Sequence, residues 1–259
     1  MPNHSLAADL LLRTWFDGQT IDALPDAVKP ATRADGYAIQ AGLEAATNAP
    51  LFGWKIAATS AAGQRHINVD GPLAGRLFAE RNVENGATIT LGPNRMRVAE
   101  IEFAFRFGRD LPPRATPYTV DEVLDAVESL HPAIEVPDSR YTDFTVVGAP
   151  QIIADNACAH LFLPGPAVEI EWRGVDLAAH PVSVTLNGQE VFHGSGANAL
   201  GDPRVALTWL VNELSGIGIT AGAGQMVTTG TCVTPVPITE GDHVSGNWGP
   251  FGTLSVRFD

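Results

Sequence analysis

The sequence predicts an α+β chain in which a small α-rich N-terminal unit, residues 1–85, precedes a curved or rolled β-sheet with few helices over 86–259. Three observations carry this reading. Helix-period apolar spacing dominates up to about Asn48, and from Ala87 onward the pattern changes to short strands of period two. Twenty-six glycines and nineteen prolines lie mostly between those strands, which suits a bent sheet. An Asn187-Gly188 pair between two such segments signals a tight hairpin.

The elements follow in order. Residues 5–16 read as a helix with Leu6, Leu10 and Leu11 on one side and Gly18 as its stop. Thr32 is an N-cap, Asp35 favours the macrodipole, and the second helix runs to about Asn48. Residues 51–59 read as a strand, followed by a short polar turn or helix through His66. Residues 87–91 and 95–107 are strands. Thr119 with Glu122 spells a capping box for a helix through Leu130. Residues 181–186 and 190–192 flank the hairpin turn, and Asp202-Pro203 opens a helix as N-cap and first residue. Residues 226–232, a strand near Val244, and 253–258 finish the chain.

Composition narrows the classes. A 45% hydrophobic content with 17% charged residues suits a globular protein with a sizeable core. A net charge of −13 with no basic stripe argues against nucleic-acid binding. No apolar run approaches the ~18 residues that would span a bilayer. The N-terminus lacks a secretory pattern, and Cys158 and Cys232 have neither metal nor redox spacing, so a reduced cytoplasmic protein is expected.

The chemistry concentrates in one strand. Ala99, Ile101, Phe103 and Phe105 fall on one face, Val98, Glu100, Glu102 and Ala104 on the other. Two carboxylates therefore point the same way, roughly 7 Å apart along the strand. Alone, such a pair is more often a solvated outer face. Glu135, in the apolar run Pro132-Ala133-Ile134-Glu135-Val136, brings a second reading level with it. Three oxygens on one side of a cation suit Mg²⁺ or Mn²⁺ better than Zn²⁺. Lys55, inside Gly53-Trp54-Lys55-Ile56, is either an edge lysine reaching water or a desolvated lysine of lowered pKa that moves protons. The loop from Val69-Asp70-Gly71-Pro72 to Gly75-Arg76-Leu77 is a turn or closes over a ligand. Ala154-Asp155-Asn156-Ala157 is a helix cap or lines a pocket. No nucleophile elbow, Walker loop or dinucleotide fingerprint is present.

Taken in order, these segments resemble the 2-keto-4-pentenoate hydratase and 4-oxalocrotonate decarboxylase branch of the fumarylacetoacetate hydrolase superfamily. Arg109-Asp110-Leu111-Pro112, Asp138-Ser139-Arg140, the hairpin, Gly194 and Gly201 extend the likeness along nearly the whole chain. The resemblance implies a mixed β-sandwich or rolled sheet with a small N-terminal domain, and Mg²⁺ or Mn²⁺ on Glu100, Glu102 and Glu135. Hydrolases of the superfamily usually carry Asp as third ligand and a His-Glu pair, whereas here Glu135 stands third and no such pair is visible. Leu73 stands where the family loop commonly has a second acid, and Ala157-Cys158-Ala159-His160 replaces a usually small, Ser-containing segment.

The activity so implied is hydration of a 2-hydroxy-2,4-dienoate to a 4-hydroxy-2-oxo acid, as in aromatic meta-cleavage catabolism. Decarboxylation of a 4-oxalocrotonate-type 2-keto acid ranks second, with Arg65, Arg76 and Arg140 as cations for a distal carboxylate. Acylpyruvate-type hydrolysis and keto–enol tautomerisation come third. Lys55 is the expected acid/base, and Asp70 orients it or activates water. Gly75, Leu77, Asn156 and Thr229 are the expected substrate contacts. A homo-oligomer of at least two copies is expected, in part from apolar Trp209 and Leu210 on the helix opened by Asp202. Association with a decarboxylase or hydratase partner is a further expectation, and a non-catalytic partner subunit is the competing class.

Overall fold

The computed structural model describes residues 3–259. In chain order the elements are α1 (His4–Phe16), α2 (Arg33–Gly42), β1 (Gly53–Ala57), α3 (Ala61–His66), β2 (Leu73–Leu77), β3 (Thr88–Ile89) and β4 (Val98–Phe107). Then come α4 (Val120–Leu124), β5 (Val127–Val136), α5 (Ala149–Ala154), β6 (Leu161–Pro164), β7 (Pro181–Leu186) and β8 (Gln189–Ser195). The last are α6 (Pro203–Gly216), β9 (Met226–Thr231), β10 (Val236–Pro237), β11 (His243–Asn247) and β12 (Thr253–Phe258).

Two sheets form. The seven-stranded sheet runs β2-β1-β9-β4-β5-β6, with β10 beside the start of β4, and the five-stranded sheet runs β3-β12-β11-β7-β8. Ile101, Phe103 and Phe105 of β4 pack in one core with Val182 and Val184 of β7 and with Val244 and Val256 of the second sheet. This is the α+β layering expected from the alternation, with the glutamate-bearing face of β4 turned away from the core between the sheets.

Local signals act where they were read. Thr32 and Thr119 both form reciprocal capping boxes, and the Asp202 side chain accepts from the Arg204 amide at 2.7 Å. Asn187 and Gly188 have φ of 55° and 81°, as a type I′ turn needs. Two expectations are corrected. The second helix stops at Gly42 and gives way to a 3₁₀ turn, Leu43–Ala46. The helix expected through Leu130 ends at Leu124, because Val127 and Leu130 pair with Phe107 and Phe105 in the ladder.

The N-terminal helices dock on the sheet's outer side. Ala7, Ala8, Leu11 and Ile39 form a second apolar cluster with Tyr141 and with Ala154 of α5. β1 and β2, which lie before residue 85, hydrogen-bond into the larger sheet. The apolar side of α6 is consumed within the chain: Ala206, Leu207, Leu210, Val211 and Leu214 are buried, so this helix offers no argument for an oligomer. No helix among the described residues is long and apolar enough to cross a membrane.

Candidate active site

The site grows from strand register. β4 and β5 pair antiparallel with Glu100 opposite Glu135 and Glu102 opposite Ala133. Side chains two apart share a face, so all three carboxylates project from the same side of the sheet. One oxygen from each lies within 4.8 Å of the others.

β9 supplies the support. Its register against β4 shifts between Glu102 and Ala104, so the strand carries a bulge there. Gly230 sits in the bulge with φ of 104°, and a side chain on it would lie 2.1 Å from Thr59 Oγ1. Only glycine serves at this point. Its amide donates to Glu102 Oε2 at 2.7 Å, and the Thr228 hydroxyl donates to the same oxygen. Glu102 Oε1 and Glu135 Oε2 are buried with no hydrogen-bond partner. Such orphaned oxygens are costly unless a cation meets them.

Lys55 on β1 stands two strands away from β4, level with Thr228. Its Nζ lies 3.1 Å from Glu135 Oε1 and donates to Ala157 O at 3.0 Å. The expectation that desolvation lowers this lysine's pKa is corrected. Burial does pull it down, but Glu135, Glu100 and Glu102 outweigh burial and hold it protonated, above its ordinary value. Burial pushes all three carboxylates up, Glu102 furthest because Glu135 and Glu100 repel its charge. Once all three carboxylates are ionised, they and the one ammonium leave two negative charges, which burial resists. A divalent cation on Glu100, Glu102 and Glu135 fits that charge and the hard oxygen donors.

A cavity of about 710 Å³ opens over the cluster, with Lys55 and Glu100 on its wall beside Ile67, Met96, Phe144 and Val233. Its lining also includes Arg95, His66, Cys158 and Thr231.

Several expected residues lie elsewhere. Asp70 is 85% exposed and pairs with Arg33 Nη1 at 3.4 Å, because its loop turns outward before β2, so it does not orient Lys55. Leu77 is buried in a small cluster with Ala104, Ala133 and Phe162. Thr229 points to the opposite face from Thr228 and donates to Phe103 O at 2.8 Å. Asn156 is fully buried and bonds the backbone of Arg76. Gly75 packs beneath the Asn156 carbonyl and the Lys55 stem. None of these five lines the cavity. Arg76 is engaged by Glu44 and Gln40, and Arg140 by Asp155, so neither is free for a substrate carboxylate. Burial and two arginines push His160 down to about 3, and its Nδ1 accepts from Trp15.

Thr228, which holds Glu102, is not among the residues the sequence points to. Its signal was present: it follows Met226 at strand period, and only the choice of face between Thr228 and Thr229 was open.

The fold and the carboxylate cluster define a class. The chain belongs to the fumarylacetoacetate (FAA) hydrolase family, whose C-terminal pattern matches residues 56–259. Over 98% of its length it is 31% identical to a 2-keto-4-pentenoate hydratase of Paraburkholderia xenovorans (strain LB400), covering 94% of that protein. It is 32% identical to a 2-hydroxyhexa-2,4-dienoate hydratase of Comamonas testosteroni, over 93% of this chain and 91% of that one. A solved 4-oxalocrotonate decarboxylase from Pseudomonas putida G7, complexed with magnesium and adipate, superposes with a TM-score of 0.88 at 26% identity, covering 99% of this chain and 97% of that one.

Proposed function

We propose that this protein is a divalent-metal-dependent hydro-lyase that adds water to a 2-hydroxy-2,4-dienoate, giving a 4-hydroxy-2-oxo acid. The observation that carries the reading is the set Glu100, Glu102 and Glu135, the last two fully buried, with Lys55 3.1 Å from Glu135 at the wall of a large cavity. The near-full-length likeness to two dienoate hydratases supports it.

The three glutamates would hold Mg²⁺ or Mn²⁺, and the bound ion would supply electrostatic stabilisation to charge developing on the 2-oxygen. Lys55 is the acid/base in this reading. The proton on the substrate's 2-hydroxyl leaves and one arrives at C5, giving a 2-oxo-3-enoate. Water then adds with its hydroxyl at C4 and its proton at C3. Lys55, its ammonium 3.1 Å from Glu135 at the wall of the cavity, is placed to deliver the proton to carbon and to recover one afterwards. The apolar wall formed by Ile67, Met96 and Phe144 limits water around the chain of the substrate.

A second reading, decarboxylation of a 2-keto diacid, is favoured by one observation: Arg95 lies on the cavity wall, where a distal carboxylate would need a cation. Assembly into a homo-oligomer belongs to the proposal too, supported by Leu6 and Phe16 of α1, which are 49% and 62% exposed. A monomeric mass by light scattering would reject that part.

The deciding experiment incubates the protein with Mg²⁺ and either 2-hydroxypenta-2,4-dienoate or 4-oxalocrotonate, followed by ultraviolet absorbance and mass. Gain of one water on the first substrate is expected. Loss of carbon dioxide from the second, without hydration of the first, would replace this reading by its alternative. Failure to bind Mg²⁺ or Mn²⁺ in calorimetry would sink both.

A further inference from the structure

The Lys55 ammonium is held from two sides, by Glu135 and by the carbonyl of Ala157. That carbonyl comes from an unusual stretch. Asn156, Ala157 and Cys158 have φ of 57°, 49° and 62°, three successive non-glycine residues in the left-handed region. L-residues avoid that region, so the surroundings must impose it.

They do so at three points. Arg140 grips the chain on both sides of the turn: Nη1 donates to Ala159 O at 3.1 Å, and Nη2 donates to Asp155 O. The Asp155 carboxylate in turn accepts from Ser139 Oγ at 2.7 Å and from the Arg140 guanidinium. Asn156 docks the turn on β2, an edge strand. Its Oδ1 accepts from Arg76 N at 2.6 Å and its Nδ2 donates to Arg76 O at 2.8 Å, the pair of bonds a neighbouring strand would make. Gly75 lies directly opposite Lys55 in the β1–β2 ladder. A Cβ on it would lie 2.3 Å from Asn156 O and 3.0 Å from Lys55 Cγ, so only glycine lets the turn settle this low.

We infer that the left-handed turn at 156–158, docked by Asn156 and admitted by Gly75, is a positioning element that fixes the Lys55 ammonium through the carbonyl of Ala157. A lysine carries its charge on a flexible stem, and a charge facing three carboxylates can slide among them. A neutral carbonyl on a braced turn gives the ammonium one direction, and it keeps that hold when the carboxylates turn to a cation. Asn156 and Gly75 are thus positioning residues, off the cavity wall but in command of the acid/base on it. This inference rests on the proposed role of Lys55.

The test compares Gly75→Ala and Asn156→Gly with the full-length wild type, loaded with Mg²⁺ and assayed on 2-hydroxypenta-2,4-dienoate. The expected result is a fall in kcat of about 10- to 100-fold, the scale of a displaced reacting group, with KM and Mg²⁺ affinity within about threefold. A crystal structure of Gly75→Ala should have Lys55 Nζ out of reach of Ala157 O. Asn156→Gly keeps the left-handed backbone and removes only the clamp, so it decides the matter where Gly75→Ala does not fold. A folded variant with wild-type kcat overturns the inference, as does parallel loss of kcat and metal affinity, which would make the turn a support for the carboxylates. Should the wild type turn over no dienoate, the proposed function fails, and the position of Lys55 in the variant's crystal structure still decides this inference.

Discussion

Glu100 and Glu135, thirty-five positions apart, are direct cross-strand partners on β4 and β5. Directly opposed side chains on one face stand about 5 Å apart at Cβ, a spacing at which like charges destabilise a sheet. The chain keeps them there, adds Glu102 on the same face, and buries Glu102 and Glu135 completely. An arrangement so unfavourable without a counter-ion is what a cation site requires.

Glu102→Gln is expected to weaken Mg²⁺ binding beyond the roughly 10- to 100-fold cost of losing a supporting hydrogen bond, and to remove most activity. The fold should persist, because the substitution relieves repulsion among three clustered carboxylates. Calorimetry and thermal melts check both halves, and an unchanged metal isotherm would refute the ligand assignment.

Lys55→Met should lower kcat by about 10²- to 10⁴-fold while the metal still binds, the usual contribution of a positioned acid or base. A rise confined to KM would instead mean that Lys55 only neutralises the substrate's charge. Steady-state kinetics of this variant beside wild type separates the two.

Thr228 and Thr229 should behave oppositely on substitution by valine. Thr228→Val removes the hydroxyl that holds Glu102 Oε2 and should cost about 10-fold or more in metal affinity. Thr229→Val loses a buried bond to Phe103 O and should cost about 1 kcal/mol of stability with kcat retained. Equal effects on metal binding would contradict the facing of β9.

Metal-free protein should lose stability as pH rises through the window set by Glu135, from its ordinary 4.5 to about 7. A carboxyl whose folded pKa is raised stays protonated in the fold while the unfolded chain ionises, so its penalty is absent below the window and complete above it. Lys55 does not oppose this, since its own raised pKa acts only above its ordinary 10.5. Melting temperatures in chelator should fall between about pH 4.5 and about pH 7, and Mg²⁺ should restore them most at the upper end. A flat profile would argue against buried, uncompensated carboxylates.

Arg95→Met tests the decarboxylase alternative. With hydration as the activity, kcat/KM for 2-hydroxypenta-2,4-dienoate should change less than about threefold, since that substrate has no distal carboxylate for the arginine to meet. A large loss seen only with a dicarboxylic substrate would favour the alternative.

The sequence by itself determined what neighbours along the chain can settle. Thr32 with Asp35, Thr119 with Glu122, Asp202 with Pro203, and Asn187-Gly188 each set a cap or a turn through bonds spanning a few residues. Strand alternation put Glu100 and Glu102 on one face, since period two needs no partner strand. The tertiary structure decided the rest. Pairing with β4 ended α4 at Leu124 and brought Glu135 opposite Glu100, because a ladder's register depends on residues far away in sequence. A one-residue bulge in β9 chose Thr228 over Thr229 for the carboxylates. The outward turn of its loop left Asp70 with Arg33, and the docking of a left-handed turn on an edge strand moved Asn156 from the pocket wall to the scaffold beneath Lys55. Each of these outcomes depends on which backbones meet in space, and a single residue's offset there reverses the face a side chain presents.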